Sequence, residues 1–381
     1  MHHLEKNISL IIFGERLKND MKAKIIIIIF LFIFSTGCFN YVEINDLVLI
    51  SGIGIDYQDN KYFVSAETLY QNKENSDSNF EWGQINEVSG NSLSEAFSNL
   101  STKLDKSPYY AHLKIVIVSE EIANNHLNDL FDFFLRNNDI RNIFSLIVSD
   151  KVTPKEILSK SNNYSPVVSE KIKELLENNE YKNHIVKNQY FKDIASNYLT
   201  KNKDISLTVI GLENDNPEIN KMLLYHDDKN VGYLDNEMSS TLSKLTNTNP
   251  NVLVKYECEK DKYITVNIYK SKTKYYINKN QLNILSSTSG EVIENNCNIN
   301  LENKTQYKDI TNKLDYKITK DYEKLLNYLK NINSDILGIN KMYYNKYRKH
   351  NNSYFKDVNI SIKTEIELNK KGLIFEVKDN D

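Results

Sequence analysis

The sequence predicts an α/β fold passing into α+β: a multi-domain chain of mixed β-sheets flanked by helices, closing in a C-terminal α+β domain with one long amphipathic helix. Three observations carry this. Between residues 47 and 178, period-two and period-3.6 apolar patterns succeed one another as strand, strand, helix, strand, helix, strand, helix. Beyond residue 250, strand patterns come in an unbroken run. Then Ile310, Leu314, Ile318, Tyr322, Leu325, Leu326, Leu329 and Ile332 recur at intervals of three and four, a stripe that only a helix can bury.

The first hairpin is expected over 47–56 and 61–70, turning through Gln58-Asp59-Asn60, with a polar loop over 71–79. Ser92 and Glu95 stand at capping-box spacing ahead of a helix over 93–105 that buries Leu93, Ala96, Phe97, Leu100 and Leu104. His112 to Ser119 reads as a buried strand. The next helix carries Leu127, Leu130, Phe131, Phe134 and Leu135 on one face, and Ile143 to Ser149 as the strand after it. Thr153, Pro154 and Glu156 supply a hydroxyl cap, a proline at the first helical position and an acid at the third, so a helix starts there.

Pro166 to Asn178 is a further amphipathic helix and 178–187 a surface connection. Short strands over 205–211 and 221–227 flank an expected loop at Glu213–Glu218, and Met238, Leu242 and Leu245 mark a helix over 235–245. A linker over 246–250 precedes strands at 252–257, 264–268, 274–277 and 281–285. Val358, Ile360, Ile362, Thr364, Ile366 and Leu368 alternate as a half-buried strand after the long helix. The expected divisions are 1–37, 38–190, 191–248 and 249–381.

The start of the chain speaks to location. Lys22 and Lys24 precede an unbroken apolar run from Ile25 to Phe34, then Ser35, Thr36, Gly37 and Cys38, the pattern of an export signal with its small-residue cleavage region. The run is about half of the roughly 20 residues needed to span a bilayer as a helix. A cysteine directly after it suits lipoprotein processing, with acylation of the Cys38 thiol, although Ser35 stands where that signal usually has Leu, Val or Ile. Met21 is read as the true start and residues 1–20 as an upstream extension. Two or more acyl chains hold a protein stably on a bilayer, because each buried methylene contributes about 0.8 kcal/mol.

The full chain carries 48 Lys/Arg against 51 Asp/Glu; without residues 1–37 the balance is 43 to 48, a net charge of −5 that argues against nucleic acid as a partner. Cys258 and Cys297 have no CxxC spacing and no histidine at metal-ligand spacing, and are read as two isolated thiols in preference to a disulfide.

Four separated stretches resemble one family, the C subunits of spore germinant receptors, or GerAC-type (Ger(x)C) spore germination lipoproteins. They are Cys38 to Leu47 with Gly52-Ile-Gly-Ile-Asp56; His112 to Ala123 running through Asp132-Phe-Phe-Leu-Arg136 and Ile140-Arg141 to Glu156-Ile-Leu158; Leu224 to Met238 with Gly232-Tyr-Leu; and Ser334-Asp-Ile-Leu-Gly338. Phe39-Asn40 departs from the family's usual Trp-Asp. The resemblance implies a lipid-anchored, non-enzymatic subunit without cofactor on the outer face of the inner spore membrane. It would work with two integral membrane subunits, A and B, in response to small nutrients.

The residues show little independent chemistry. No zinc-binding histidine pair, G-x-S-x-G elbow or P-loop is present, and Gly52-Ile-Gly54 lacks the third glycine of a dinucleotide loop. Glu213–Glu218 has the oxygen density of a calcium loop without its glycine or twelfth-position carboxylate, so a solvated loop is preferred. His112 is read as structural. Arg136 and Arg141 are candidates to bind a ligand carboxylate, but capping or pairing with Asp132 or Asp139 is preferred, and Ser334–Gly338 also suits a helix-terminating turn. Two other classes remain open: a solute-binding lipoprotein with a polar cleft between two lobes, and a surface hydrolase with clustered, perturbed titratable groups.

Overall fold

A computed structural model describes residues 43–70, 81–160, 167–178, 189–200, 203–247 and 251–369. The polar loop over 71–79, the connection over 179–187 and the linker residues 248–250 lie outside the described residues, as does Cys38. By its internal contacts Val48–Asp381 is one compact unit.

Two sheets organise the chain. In the first, β1 (Leu47–Gln58), β2 (Lys61–Tyr70) and β3 (Glu81–Gly90) form an antiparallel meander. β1 also pairs parallel with β5 (Ile115–Val118), β5 with β6 (Ser145–Ser149) and β6 with β7 (Ile205–Glu213). β8 (Asn216–His226) and β9 (Lys229–Leu234) then continue antiparallel, giving the order β3-β2-β1-β5-β6-β7-β8-β9, with the short β4 (Ser107–Tyr109) beside β1. A parallel centre thus carries an antiparallel hairpin on each flank. Its strands are apolar on both faces, as strands covered on both sides must be.

The residue parity of those strands sorts two cores. Val116, Val118, Leu146 and Val148 face α1 (Leu93–Lys103), α2 (Glu120–Asn125), α3 (Leu127–Arg136) and α6 (Phe191–Leu199). Ile115, Ile117 and Ile147 face α4 (Pro154–Leu158), α5 (Val168–Asn178) and α7 (Asn236–Thr246). In β1 the parity changes at an irregularity between Ile50 and Gly52, so Val48, Ile50, Ile53 and Ile55 all reach one core. That change also turns Gly52 and Gly54 toward the opposite helices. A Cβ on Gly52 would lie 2.9 Å from Ser169 Cβ, and one on Gly54 2.9 Å from Pro154 Cβ, so the two glycines serve the close seating of α5 and α4.

The second sheet has the order β10 (Val252–Glu259), β11 (Lys262–Ile277), β12 (Gln281–Asn295) and β13 (Asn359–Asn369), with β13 parallel to β12. The crossover between them contains α8 (Lys304–Asn331), whose buried stripe is the expected one from Ile310 to Leu329. The strands expected separately at 264–268 and 274–277 are one. A register shift between Ile268 and Lys270 moves the buried positions from Ile264, Val266 and Ile268 to Thr273 and Ile277, which breaks the period a sequence scan follows.

Other expectations need correction. Tyr110–His112 is a 3-10 turn, so the strand begins at Ile115 and not at His112. Leu135 and Ile143 are exposed at 42% and 51%, off the buried face and ahead of β6. The loop expected over 213–218 is a two-residue hairpin: Asn214 and Asp215 have φ of 49° and 62°, the left-handed pair of a type I′ turn. Asp59-Asn60 and Asp227-Asp228 do the same, with Asx residues where glycine is common. Cys258 and Cys297, expected as isolated thiols, form a disulfide with Cα atoms 6.3 Å apart. The bond ties the end of β10 to the chain leaving β12, a proximity that no local spacing encodes.

Candidate functional site

The Ser334–Gly338 stretch lies where perturbed acids and a surface cavity meet. α8 ends in a Schellman motif: Asn333 takes the left-handed position at φ 57°, its N–H donating to Lys330 O and that of Ser334 to Leu329 O. Asparagine, not Gly338, closes the helix. Gly338 instead precedes α9 (Ile339–Tyr347) at φ 70°, and having no side chain it leaves the capping to Asp335. The Asp335 carboxylate accepts from the N–H groups of Ile339 and Asn340, each at 2.7 Å, satisfying two orphan donors of the helix start.

Asp335 also donates its own N–H to Asp204 Oδ2 at 2.6 Å, and Asp204 Oδ1 lies 2.9 Å from His226 Nδ1. On the ring's other side, His226 Nε2 is 3.1 Å from Asn333 Nδ2. The starts of β7 and α9, the tip of β8 and the end of α8 are thereby joined by one polar chain. Burial drives both acids toward the neutral form. The Asp335 carboxyl is pushed up from 3.8 to about 7, with the nearby Asp204 adding to the rise and the backbone donors opposing it. Burial likewise raises Asp204, against the lowering effect of its bond to His226.

These groups form the titratable cluster that a hydrolase needs, but their bonds serve to hold chain segments together. The described partners of His226 are two carboxylates and a carboxamide. Beside the cluster a cavity of about 590 Å³ is lined by His226, Asn333, His350, Asn351, Asn352, Ser353 and Lys356.

The other candidates take structural places. Arg136 borders a second cavity of about 510 Å³, with its Nε 2.6 Å from Asp132 one helical turn back, an exposed i,i+4 pair. Arg141 is exposed in the turn before β6, and the His112 ring lies tilted against that of Tyr109, the centroids 6.1 Å apart. Glu67, which the sequence reading passed over, is 1% exposed on β2. It accepts from Val168 N–H at 2.6 Å, Ser169 N–H at 3.1 Å and Ser51 Oγ at 2.9 Å, so it caps α5 from across the sheet. A conspicuous signal was available there: an acid inside an otherwise buried strand is rare without such partners.

Gly232, from the Gly232-Tyr-Leu stretch, admits Tyr328 of α8. The tyrosine hydroxyl donates to Tyr233 O at 2.8 Å and receives its N–H at 3.2 Å, covering part of the β9 edge. The apolar core between the first sheet and the second runs unbroken from Ile115 through α5, α7 and α8 to Leu368, where a two-lobed solute binder has an open cleft. No helix among the described residues is long and apolar enough to cross a membrane, and no group of three or more potential metal ligands occurs among them.

Comparison with known proteins bears on what this architecture is. Residues 40–212 match the spore germination protein N-terminal domain, and residues 220–372 the spore germination B3/GerAC-like C-terminal domain. Spore germination protein KC of Bacillus subtilis is 25% identical over 151 residues, 37% of either chain. Spore germination protein YndF of the same organism is 26% identical over 178 residues, 39% of this chain and 43% of its own length. Each alignment therefore spans less than half of the relative. The crystal structure of the GerBC protein superposes with a TM-score of 0.56 at 18% identity, over 83% of this chain and 96% of that one, which establishes the shared fold. With both family domains matched in order across nearly all of the chain after Cys38, the protein belongs to the GerAC-type spore germination family of germinant receptor C subunits.

Proposed function

We propose that the protein is a lipid-anchored, non-enzymatic C subunit of a nutrient germinant receptor, acylated on Cys38. It works with integral membrane A and B subunits on the outer face of the inner spore membrane. The observation that carries this reading is the ordered match of both family domains over residues 40–372, beginning two residues after the cysteine that follows the apolar run and its small residues. The Cys258–Cys297 disulfide supports export, because such bonds persist in oxidising compartments. Anchoring leaves the described body free to be polar outside, since the bilayer affinity resides in the acyl chains.

Gene deletion alongside Cys38→Ala tests the proposal in spores whose other receptors have been removed. Both strains are expected to lose nutrient-triggered germination, and the Cys38→Ala protein to leave the membrane fraction. Normal germination of both would refute the receptor role, whereas normal germination of Cys38→Ala alone would refute only the anchor.

A further inference from the structure

We propose that the cavity beside His226 is a binding site for a small oxyanion, a carboxylate or a phosphate group. Three chain segments converge on it: the β8 tip with His226, the αL residue Asn333 after α8, and the stretch from His350 to Lys356, whose end is a short helix over Tyr354–Asp357. Its volume of about 590 Å³ falls in the usual range for small-molecule sites, about 300–1,000 Å³. The lining holds an ammonium, two imidazoles, three carboxamides and a hydroxyl, and no carboxylate.

Several acceptor oxygens nearby are already engaged. Asn351 Oδ1 accepts from both the N–H and the hydroxyl of Ser353, each at 3.2 Å, which leaves its amide hydrogens for a ligand. Asp204 and Asp335 are occupied by His226 and by backbone N–H groups. Asn352 O takes the Asn340 amide at 2.7 Å. The Lys356 ammonium, the His350 ring and the Asn351 amide hydrogens line the cavity as donors. Lys356 has no ion pair with any described carboxylate, and His350 is held flat against Tyr344, the ring centroids 4.4 Å apart. The opposing acid is Asp227, whose Oδ2 lies 3.6 Å from His226 Nε2; it is 91% exposed and not part of the lining. Asp204 holds the His226 ring at Nδ1, and its Nε2 faces the Asn333 amide at 3.1 Å.

An oxyanion satisfies these donors through charge-assisted hydrogen bonds, roughly twice as strong as those to a neutral acceptor. The site lies wholly within the compact unit and does not depend on the anchoring reading.

The test uses the chain from residue 39 onward, which retains the whole compact unit, at low ionic strength where screening is weak. Inorganic phosphate and acetate are titrated calorimetrically, and vesicles of phosphatidylcholine with phosphatidic acid are sedimented with the protein. At least one probe is expected to bind saturably, the free ions at one per chain. Lys356→Gln and His350→Gln, both at exposed positions, should each weaken binding about tenfold, the loss of one charge-assisted bond, while Lys61→Gln at the far β1–β2 turn changes nothing. Binding confined to vesicles identifies the oxyanion as a lipid headgroup; binding of free ions identifies a soluble ligand. Absence of saturable binding to all three, or binding indifferent to Lys356 and His350, overturns the proposal.

Discussion

Asp335 shows how one side chain can serve the backbone and still carry a cost. Its two oxygens cap α9, yet burial holds its carboxyl at about 7 against 3.8. Between those values the folded protein binds a proton that the unfolded chain lacks, so this group's contribution becomes more favourable as pH falls from about 7 toward 4 and is lost as pH rises through 7. Asp335→Asn keeps one acceptor and cannot titrate. Denaturant melts at pH 5 and pH 8 should therefore show wild type gaining on Asp335→Asn at the lower pH, by up to about 3 kcal/mol. Equal differences at both pH values would show that the carboxyl is ionised throughout. The residues of this site were only half legible. Ser334–Gly338 stood out as a motif, but Asp204 lies 131 positions from Asp335, and nothing local to either residue signals the other.

At the scale of elements, α5 depends on an acid that belongs to another strand. Glu67 meets the first two N–H groups of α5, and the space around it is kept by Gly83, where an added Cβ would lie 2.8 Å from Glu67 Cγ. Glu67→Ala should destabilise the protein by about 2–4 kcal/mol, since it leaves buried donors unpaired and opens a cavity. Gly83→Ala should act in the same direction by crowding the carboxylate. Hydrogen exchange would show the effect first in residues 168–172; unchanged protection there would mean that α5 does not need the cap. Elements with local signals were readable. The full capping box of Thr153 and Glu156 and the stripe along α8 both stand where the sequence placed them. The irregularities in β1 and β11 were hidden, because they shift the buried face within a strand and interrupt the very alternation that announces one.

Across the whole molecule, two sheets share one continuous core, and a single covalent link pins the second. The link closes a loop of 39 residues, so its removal should cost about 2–4 kcal/mol through the greater freedom of the unfolded chain. Cys258→Ala with Cys297→Ala is expected to lower the melting temperature, and reductant to lower that of wild type but not of the double variant. Identical melting of wild type with and without reductant would show that the bond does not contribute.

The placement of β13 governs the order in which the protein can be built. Gln281 of β12 pairs with Asn359, 78 positions later, so a free margin of the second sheet stays open until β13 has been made. Such remote pairing delays folding, because the chain must close a long loop before any of the pairing is gained. A polypeptide that cannot finish its sheet early remains threadable, which is what the proposed lipid anchoring would ask of a chain passed through a membrane before it folds.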